Sequence, residues 1–173
     1  MLVLALLMLV FLTLIGLSAT TTTQIEIQIA RNEEFHKVAF FNADSGVYAA
    51  PKIIRKTMDD GIQPTYSGLN PYLDSVPGNF YREVMGFNAY DAPADLQFPV
   101  GNFNVDVDVR RSRQQALAGG GAEFASGAEG IGVGSTGGVA VVYGMDSLGS
   151  GPAGSLSGVS AEYRYLPGVA GGL

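Results

Sequence analysis

The sequence has no cysteine, a single histidine, and no charged side chain before Glu26. Without cysteine, no disulfide framework can hold a small exported domain together. A Ser-His-Asp site would have to use His36, and nothing around that residue indicates one. We find no other combination of acid, base and nucleophile, so the sequence predicts neither an enzyme nor a cofactor.

Positive charge is also scarce, especially in the second half of the chain. The formal net charge is −6, and beyond Arg113 only Arg164 is basic. Nucleic acid is therefore not an expected partner. The stretch 132–137 matches G-x-G-x-x-G, but it follows a glycine-rich tract and precedes an apolar run. A dinucleotide-binding fingerprint follows a strand and opens a helix, so we treat the match as chance.

What the sequence does have is a long apolar front. Residues 1–17 are almost entirely aliphatic or aromatic. As a helix, residues 2–19 would span about 27 Å, close to the hydrocarbon thickness of a bilayer. No turn signal separates this run from the amphipathic pattern behind it, which favours one long helix. A cleaved secretory signal fits less well because the run is long and has no basic residue before it; a plain membrane anchor is the other alternative.

Behind the apolar run, residues 25–54 carry one apolar stripe at helical spacing. Its members are Ile25, Ile29, Phe40, Ala43, Val47, Ala50 and Ile54. We expect the helix to pack and assemble through this stripe, with Phe40 buried between the helix and a sheet. The alternative for the stripe is a surface that faces neighbouring subunits.

Other residues bear on the continuity of this helix. The hydroxyls of threonines 20–23 are expected to bond to carbonyls one turn earlier, and Glu33 and Lys37 form a favourable i,i+4 pair. Pro51 follows Gly46 closely, which predicts a kink near 46–51. The helix is expected to end near Asp60, with Gly61 as a left-handed cap.

The rest of the chain, residues 61–173, is predicted to be a β-rich globular domain. Strict alternation of apolar and polar residues predicts a strand from Phe103 to Arg110 and another from Val159 to Tyr165. A continuous apolar run at 138–145 predicts a central strand, and 80–87 is a weaker strand candidate. Three antiparallel strands covered by the long helix make an α+β fold with glycine-rich loops.

Two polar clusters are candidate ion-binding sites. Asp106 and Asp108 share one strand face, but two carboxylates supply few of the six to eight oxygens that calcium takes, so they are weak metal candidates and we predict no metal. The basic run 110–113 is predicted to end its strand as an exposed turn, with anion binding as the alternative.

The N-terminal fifty residues resemble the PilX-type minor pilins of type IV pilus assembly. The likeness lies in L-T-L-I-G at 12–16, T-T-T-T-Q-I-E at 20–26 and A-F-F-N-A-D-S-G at 39–46, which is similar to the A-F-x-A-A-E-x-G stretch of the family. The resemblance implies an inner-membrane protein that other pilin subunits contact through the N-terminal helix. It also implies transfer into an extracellular filament on the cell surface, with a role in adhesion.

One departure concerns the glutamate that pilins carry at the fifth mature position. Aligned on the L-T-L-I-G match at 12–16, Gly16 stands where that glutamate is expected. By analogy with related secretion systems, subunits without it sit at the filament tip. The sequence thus predicts a structural or assembly subunit; the alternative is a membrane-anchored extracytoplasmic domain that binds a ligand through its glycine-rich loops. In a filament, the tract 118–138 is expected to lie against a neighbouring subunit.

Overall fold

The computed structural model describes residues 1–73, 78–90, 94–116 and 139–167. Within these ranges the elements are α1 (Leu2–Asp60), α2 (Asn79–Met85), β1 (Leu96–Val100), β2 (Phe103–Ala116), β3 (Val139–Ser150), a 3₁₀ turn (Pro152–Gly154) and β4 (Leu156–Tyr165). The glycine-rich tract 118–138 and the G-x-G-x-x-G match at 132–137 lie outside the described residues.

Helix α1 runs from Leu2 to Asp60 without interruption, through both Gly46 and Pro51. It ends as predicted: Gly61 has φ 65°, in the left-handed region, and its N–H donates to the Thr57 carbonyl oxygen at 3.1 Å. This arrangement satisfies a carbonyl that has no partner inside the helix. The kink at 46–51 stays a prediction.

The four strands form one antiparallel sheet in the order β1-β2-β3-β4, and α1 packs on it. The predicted α+β class, a long helix on an antiparallel sheet in a pilin-like arrangement, is confirmed. The predicted alternation is also confirmed, because Val105, Val107 and Val109 of β2 are buried while the residues between them are not. Strand β3 lies between two partners, as its continuous apolar run predicts.

The strand predicted over 80–87 is wrong, since this segment contains α2. Phe80 and Val84 are buried one helical turn apart, which places both on the same face of a helix. Gly86 ends the helix with φ 82° and donates its N–H to the carbonyls of Arg82 and Glu83. A short apolar run is ambiguous between helix and strand, and here the glycines on either side decide it.

Strand β1 was not predicted. It contains Pro99, which lacks an N–H and is tolerated only at the margin of a sheet. The strand is an edge strand that pairs with β2, with Pro99 opposite Asn104. A turn at Gly101, with φ 61°, connects the two strands directly.

The turn predicted at 110–113 is also wrong, because β2 continues to Ala116. The pairing with β3 shifts register between Arg111 and Arg113, so Ser112 is an extra residue at a β-bulge. Across the strands, Arg110 pairs with Asp146 at 2.5 Å and Arg113 with Glu162 at 2.9 Å. These arginines belong to exposed cross-strand ion pairs, which contribute little stability but suit a solvated sheet face.

The core lies between the second half of α1 and one face of the sheet. The face of α1 that meets the sheet consists mainly of small residues: Ala39, Ala43, Gly46, Ala50, Ile53, Ile54 and Thr57. A Cβ added to Gly46 would lie 2.7 Å from Val105 Cγ1 and 2.9 Å from Val107 Cγ2. On the sheet side, a Cβ at Gly149 would clash with the Ala39 carbonyl. These two glycines let the helix and sheet backbones approach closely.

Candidate assembly surface

The first half of α1 stands free of the rest of the chain. Every residue from 1 to 34 is exposed, which corresponds to about 50 Å of helix. Among the described residues, α1 is the one helix that is long and apolar enough to cross a membrane, judged by length and composition. The uncharged part of this segment, residues 2–25, fits a transmembrane anchor, because all its backbone groups except those of the first turn are paired within the helix.

The threonine run continues this apolar surface instead of interrupting it. Each hydroxyl from Thr20 to Thr23 donates to a carbonyl three or four residues earlier, at 2.8 to 3.1 Å. The prediction for this run is therefore confirmed. A threonine whose hydroxyl is bonded to its own helix presents mainly its methyl group to the surroundings, so the run is compatible with an apolar environment.

Charge begins at Glu26 and becomes dense between 31 and 37. Lys37 Nζ lies 2.6 Å from Glu33 Oε1 on the exposed helix surface, as the i,i+4 spacing predicts. The hydrogen bond and the positive charge of Lys37 lower the pKa of the Glu33 carboxyl. This charged collar marks the boundary between the apolar half of α1 and the half that packs on the sheet.

Within the collar, Phe35 marks the point at which α1 meets the sheet. Its ring contacts the ring of Phe103 edge to face, with centroids 6.4 Å apart. On the other side of Phe103, an added Cβ at Gly151 would overlap the ring. Phe103 at the start of β2 is thus held between the helix and the β3–β4 connection, which fixes where the free half of α1 leaves the globular part.

The predicted stripe divides into two groups in the structure. Ala43 and Ile54 are buried against the sheet, and Val47 is partly buried against the same core. Ile25 and Ile29 are exposed on the free half of the helix. The stripe is therefore not one continuous buried seam.

The expectation that Phe40 is buried between helix and sheet is wrong, since its side chain is 48% exposed. The residue that faces the sheet is Ala39, one position and about 100° earlier on the helix. Small side chains at 39, 43, 46 and 50 permit a closer approach of the helix than Phe40 would, so the helix docks on its small face. The predicted stripe contains Ala43 and Ala50 but not Ala39 and Gly46, and the spacing of these four small residues was the signal in the sequence for the docked face.

An exposed aromatic patch on α1 consists of Phe40, Phe41 and Tyr48, with exposures of 48%, 67% and 69%. Phe40 and Phe41 contact each other edge to face, with ring centroids 5.9 Å apart. Phe41 and Tyr48 are seven residues apart, so they lie on one side of the helix, opposite the buried face. Exposed aromatic groups of this kind are characteristic of interaction surfaces. Phe41 and Tyr48 both lie off the apolar stripe predicted from the sequence.

The weak metal candidates are engaged in hydrogen bonds. Asp106 Oδ1 accepts from Gln97 Nε2 at 2.8 Å, and Asp108 Oδ2 accepts from Tyr90 Oη at 2.6 Å. The bond to Asp108 raises the pKa of Tyr90 to about 12, with lesser effects of burial and charge. In the described ranges, no group of three or more His, Cys, Asp or Glu side chains is placed to hold a metal ion.

Comparison with known proteins finds a family match at the front of the chain. Residues 1–47 match the family described as PilX N-terminal. No curated protein and no solved structure matches the chain. The N-terminal region is a PilX-like type IV pilin N-terminal region, and it continues into the helix that packs on the sheet. The match covers residues 1–47 of the 173, so it describes the front of the chain and not the sheet domain.

Proposed function

We propose that this chain is a minor pilin or pilin-like subunit that builds or primes a type IV pilus or a related filament, without enzymatic activity. One observation carries the proposal: a single unbroken helix is exposed over residues 1–34, carries no charge over the first 25 of them, and has a rear half fixed to a sheet. Such a helix can serve first as an anchor and later as a connector between subunits, while the sheet domain stays outside the apolar layer.

The proposed division of labour places the boundary at the end of α1. Residues 1–60 form the transmembrane and filament-core helix, and 61–173 form the globular domain. We propose the inner membrane as the location before assembly and an extracellular filament afterwards. The partners are other pilin subunits, and the net charge of −6 argues against nucleic acid.

The physical chemistry of the front half supports this sequence of events. Lipid chains and the side chains of neighbouring apolar helices are similar surroundings for residues 2–19. Transfer between them costs little, so packing and polar contacts can drive assembly. We propose that Ile25 and Ile29, which are exposed on the free half of the helix, pack against helices of neighbouring subunits.

The aromatic patch extends this contact surface beyond the charged collar. Phe40, Phe41 and Tyr48 lie on the side of α1 that the sheet leaves uncovered. In a filament whose helices run side by side, this side faces the interior, where the rings would be buried. Burial of a large apolar side chain contributes about 1.5–3 kcal/mol.

Cysteine cross-linking tests the proposal, because the chain has no cysteine of its own. Ile29→Cys, in cells that produce the filament, should give covalent multimers with a bifunctional thiol reagent. Ser160→Cys, exposed on β4, is the matched control and should give few. The protein should also resist carbonate extraction of the membrane fraction. Equal cross-linking at both positions, or a protein released by carbonate, would contradict the proposal.

A further inference from the structure

A cavity of about 390 Å³ lies beside the loop that follows α1. Its walls include Gln63, Thr65, Tyr66, Leu69, Asn70 and Tyr72. The volume is near the lower end of the roughly 300–1,000 Å³ typical of small-molecule sites. The loop follows the C-terminal end of α1, whereas the proposed anchor is at the N-terminal end, so the cavity has no part in the function proposed above.

One wall of the cavity is held by Tyr72. Its hydroxyl donates to the Pro64 carbonyl oxygen at 2.7 Å, and its ring packs against the buried Phe80 with centroids 5.4 Å apart. Tyr72 also forms a bridge with Leu96 at the start of β1. The loop is thereby attached to both the sheet and α2, so this wall is preformed.

A tight turn between Tyr66 and Leu69 forms another part of the cavity wall. The two residues form an antiparallel bridge, and the Leu69 N–H donates to the Tyr66 carbonyl oxygen at 3.4 Å. Gly68 has φ 75°, which suits glycine at this position of the turn. Tyr66 packs partly against the core, while Leu69 and Asn70 are exposed. The turn therefore presents an aromatic ring and an amide at the mouth of a fixed cavity.

The chemistry of the walls selects a class of ligand. None of the residues that the structure places around the cavity is charged. A phosphate, a carboxylate or a metal ion would meet no oppositely charged side chain among these residues, and Lys56, whose charge reaches the Tyr66 hydroxyl, is already paired with Asp60 at 2.8 Å. Amides and a hydroxyl supply both donors and acceptors, and the tyrosine rings supply flat apolar surface. That combination complements a molecule with hydroxyl groups around an apolar ring face.

The side-chain oxygen of Gln63 is a further feature of the cavity wall. Its Oε1 is shielded from solvent and accepts no hydrogen bond from the described part of the chain. A buried acceptor without a donor is costly. The side chain lies in the wall of the cavity, so a small rotation would present this oxygen to a hydroxyl donor on a ligand.

From these features we infer that the cavity binds a neutral sugar, such as one exposed residue of a glycan. The ring of Tyr66 packs against the sugar face, and the side chains of Gln63, Thr65 and Asn70 hydrogen-bond to its hydroxyls. The binding site belongs to the globular domain, so it would be displayed by an anchored monomer and by a filament subunit alike.

Saturation-transfer NMR on the full chain tests the inference. The protein is kept in a detergent without a sugar headgroup, since glucoside and maltoside detergents would compete. The probes are glucose, galactose, mannose and their N-acetylated amino forms at millimolar concentration, with glucuronate as a charged comparison. At least one neutral sugar should receive saturation, and glucuronate should not.

Two variants and one control locate the signal. Tyr66→Ala should weaken binding about tenfold, and Asn70→Ala about fivefold. Phe87→Ala removes an exposed aromatic ring that does not line the cavity and should leave binding unchanged. Asn70 is exposed, so Asn70→Ala should fold. It therefore still tests whether the sugar binds at this cavity if Tyr66→Ala fails to fold. Absence of transfer to every neutral sugar overturns the inference. So does transfer that survives both variants, or binding of a proline-rich peptide at the same residues instead.

Discussion

Tyr165, the last residue of β4, donates a hydrogen bond from Oη to Oδ1 of Asp59 in the last turn of α1, at 2.5 Å. The ring is buried, and burial together with this bond raises the pKa of the Tyr165 hydroxyl. Asp59 also pairs with Arg55 on the same helix at 3.4 Å. The contact joins the end of the helix to the edge of the sheet, two segments that are far apart in the sequence.

The first prediction concerns this contact. Tyr165→Phe keeps the buried ring and removes the hydroxyl, so it should lower the free energy of unfolding by about 1.5–3 kcal/mol, the range for a hydrogen bond to a charged group. Tyr163→Phe is the control, since its hydroxyl makes no hydrogen bond within the described residues, and it should cost under about 0.5 kcal/mol. Chemical unfolding followed by tyrosine fluorescence measures both. Equal losses would show that the bond to Asp59 contributes nothing.

The second prediction concerns alkaline pH. Burial raises the pKa of Tyr143 to about 12, and its hydroxyl donates to the Val84 carbonyl oxygen at 2.8 Å. The folded-state pKa lies above the unfolded value of about 10. The contribution is therefore complete below pH 10 and is lost as pH rises toward 12. In that window stability should fall by up to about 1.4 kcal/mol per pH unit for this group.

Tyr143→Phe separates this effect from other titrations. The variant should be less stable than the wild type at pH 8, because the Val84 carbonyl loses its donor. Its stability should then decline less steeply between pH 10 and 12. Parallel declines in wild type and variant would assign the alkaline sensitivity to other groups.

The third prediction concerns the close approach of helix and sheet. Alanine normally stabilises an exposed helix relative to glycine by about 1 kcal/mol. At Gly46 the added methyl group would meet Val105, Val107 and Ser147, so Gly46→Ala should instead destabilise the fold by about 1–3 kcal/mol. Gly16→Ala is the matched control, because an added Cβ there has nothing within 4 Å. The two unfolding midpoints in detergent should differ clearly; a Gly46→Ala midpoint at or above that of Gly16→Ala would contradict the packing.

The fourth prediction concerns the aromatic patch. Because Phe41 and Tyr48 are exposed in the monomer, the double change Phe41→Ala, Tyr48→Ala should alter monomer stability by less than about 1 kcal/mol. If the patch packs against neighbouring helices, the same change should strongly reduce the recovery of sheared filaments. Lys52→Ala, also exposed on α1, serves as the control. Filaments that form at wild-type levels from the double variant would remove the patch from the assembly surface.

The same comparison of filament assembly and monomer stability applies to Phe40, which is exposed and not buried as the sequence predicted. A buried Phe40 would cost about 3–5 kcal/mol on replacement by alanine. Its 48% exposure makes the expected loss in the monomer much smaller. We therefore expect Phe40→Ala to behave as Phe41→Ala does, with a larger effect on assembly than on the unfolding midpoint. A loss of 3 kcal/mol or more in the isolated chain would show that the ring is buried after all.

Local pattern was enough to predict the long elements. A run of apolar residues followed by helical spacing specifies α1, since no residue before Gly46 interrupts it, and Gly61 can adopt the left-handed cap at no steric cost. Alternation at 103–110 and 159–165 specifies strands with one buried face, because side chains on a strand alternate between its two sides. The front half of the candidate assembly surface was also predictable, because it depends on apolar composition alone.

Which side of α1 faces the sheet was decided only in three dimensions. Large apolar residues predict a packing stripe through Phe40, yet close approach of the two backbones favours Ala39, Ala43 and Gly46, and Gly149 must lie opposite for that approach to occur. The continuation of β2 through Ser112 likewise depends on a distant segment, the paired strand β3. Periodicity reports which residues share a face of one element, but it carries no information about the partner surface. The partner surface, supplied by residues about 60 to 110 positions away, determined the docked face and left the aromatic patch exposed.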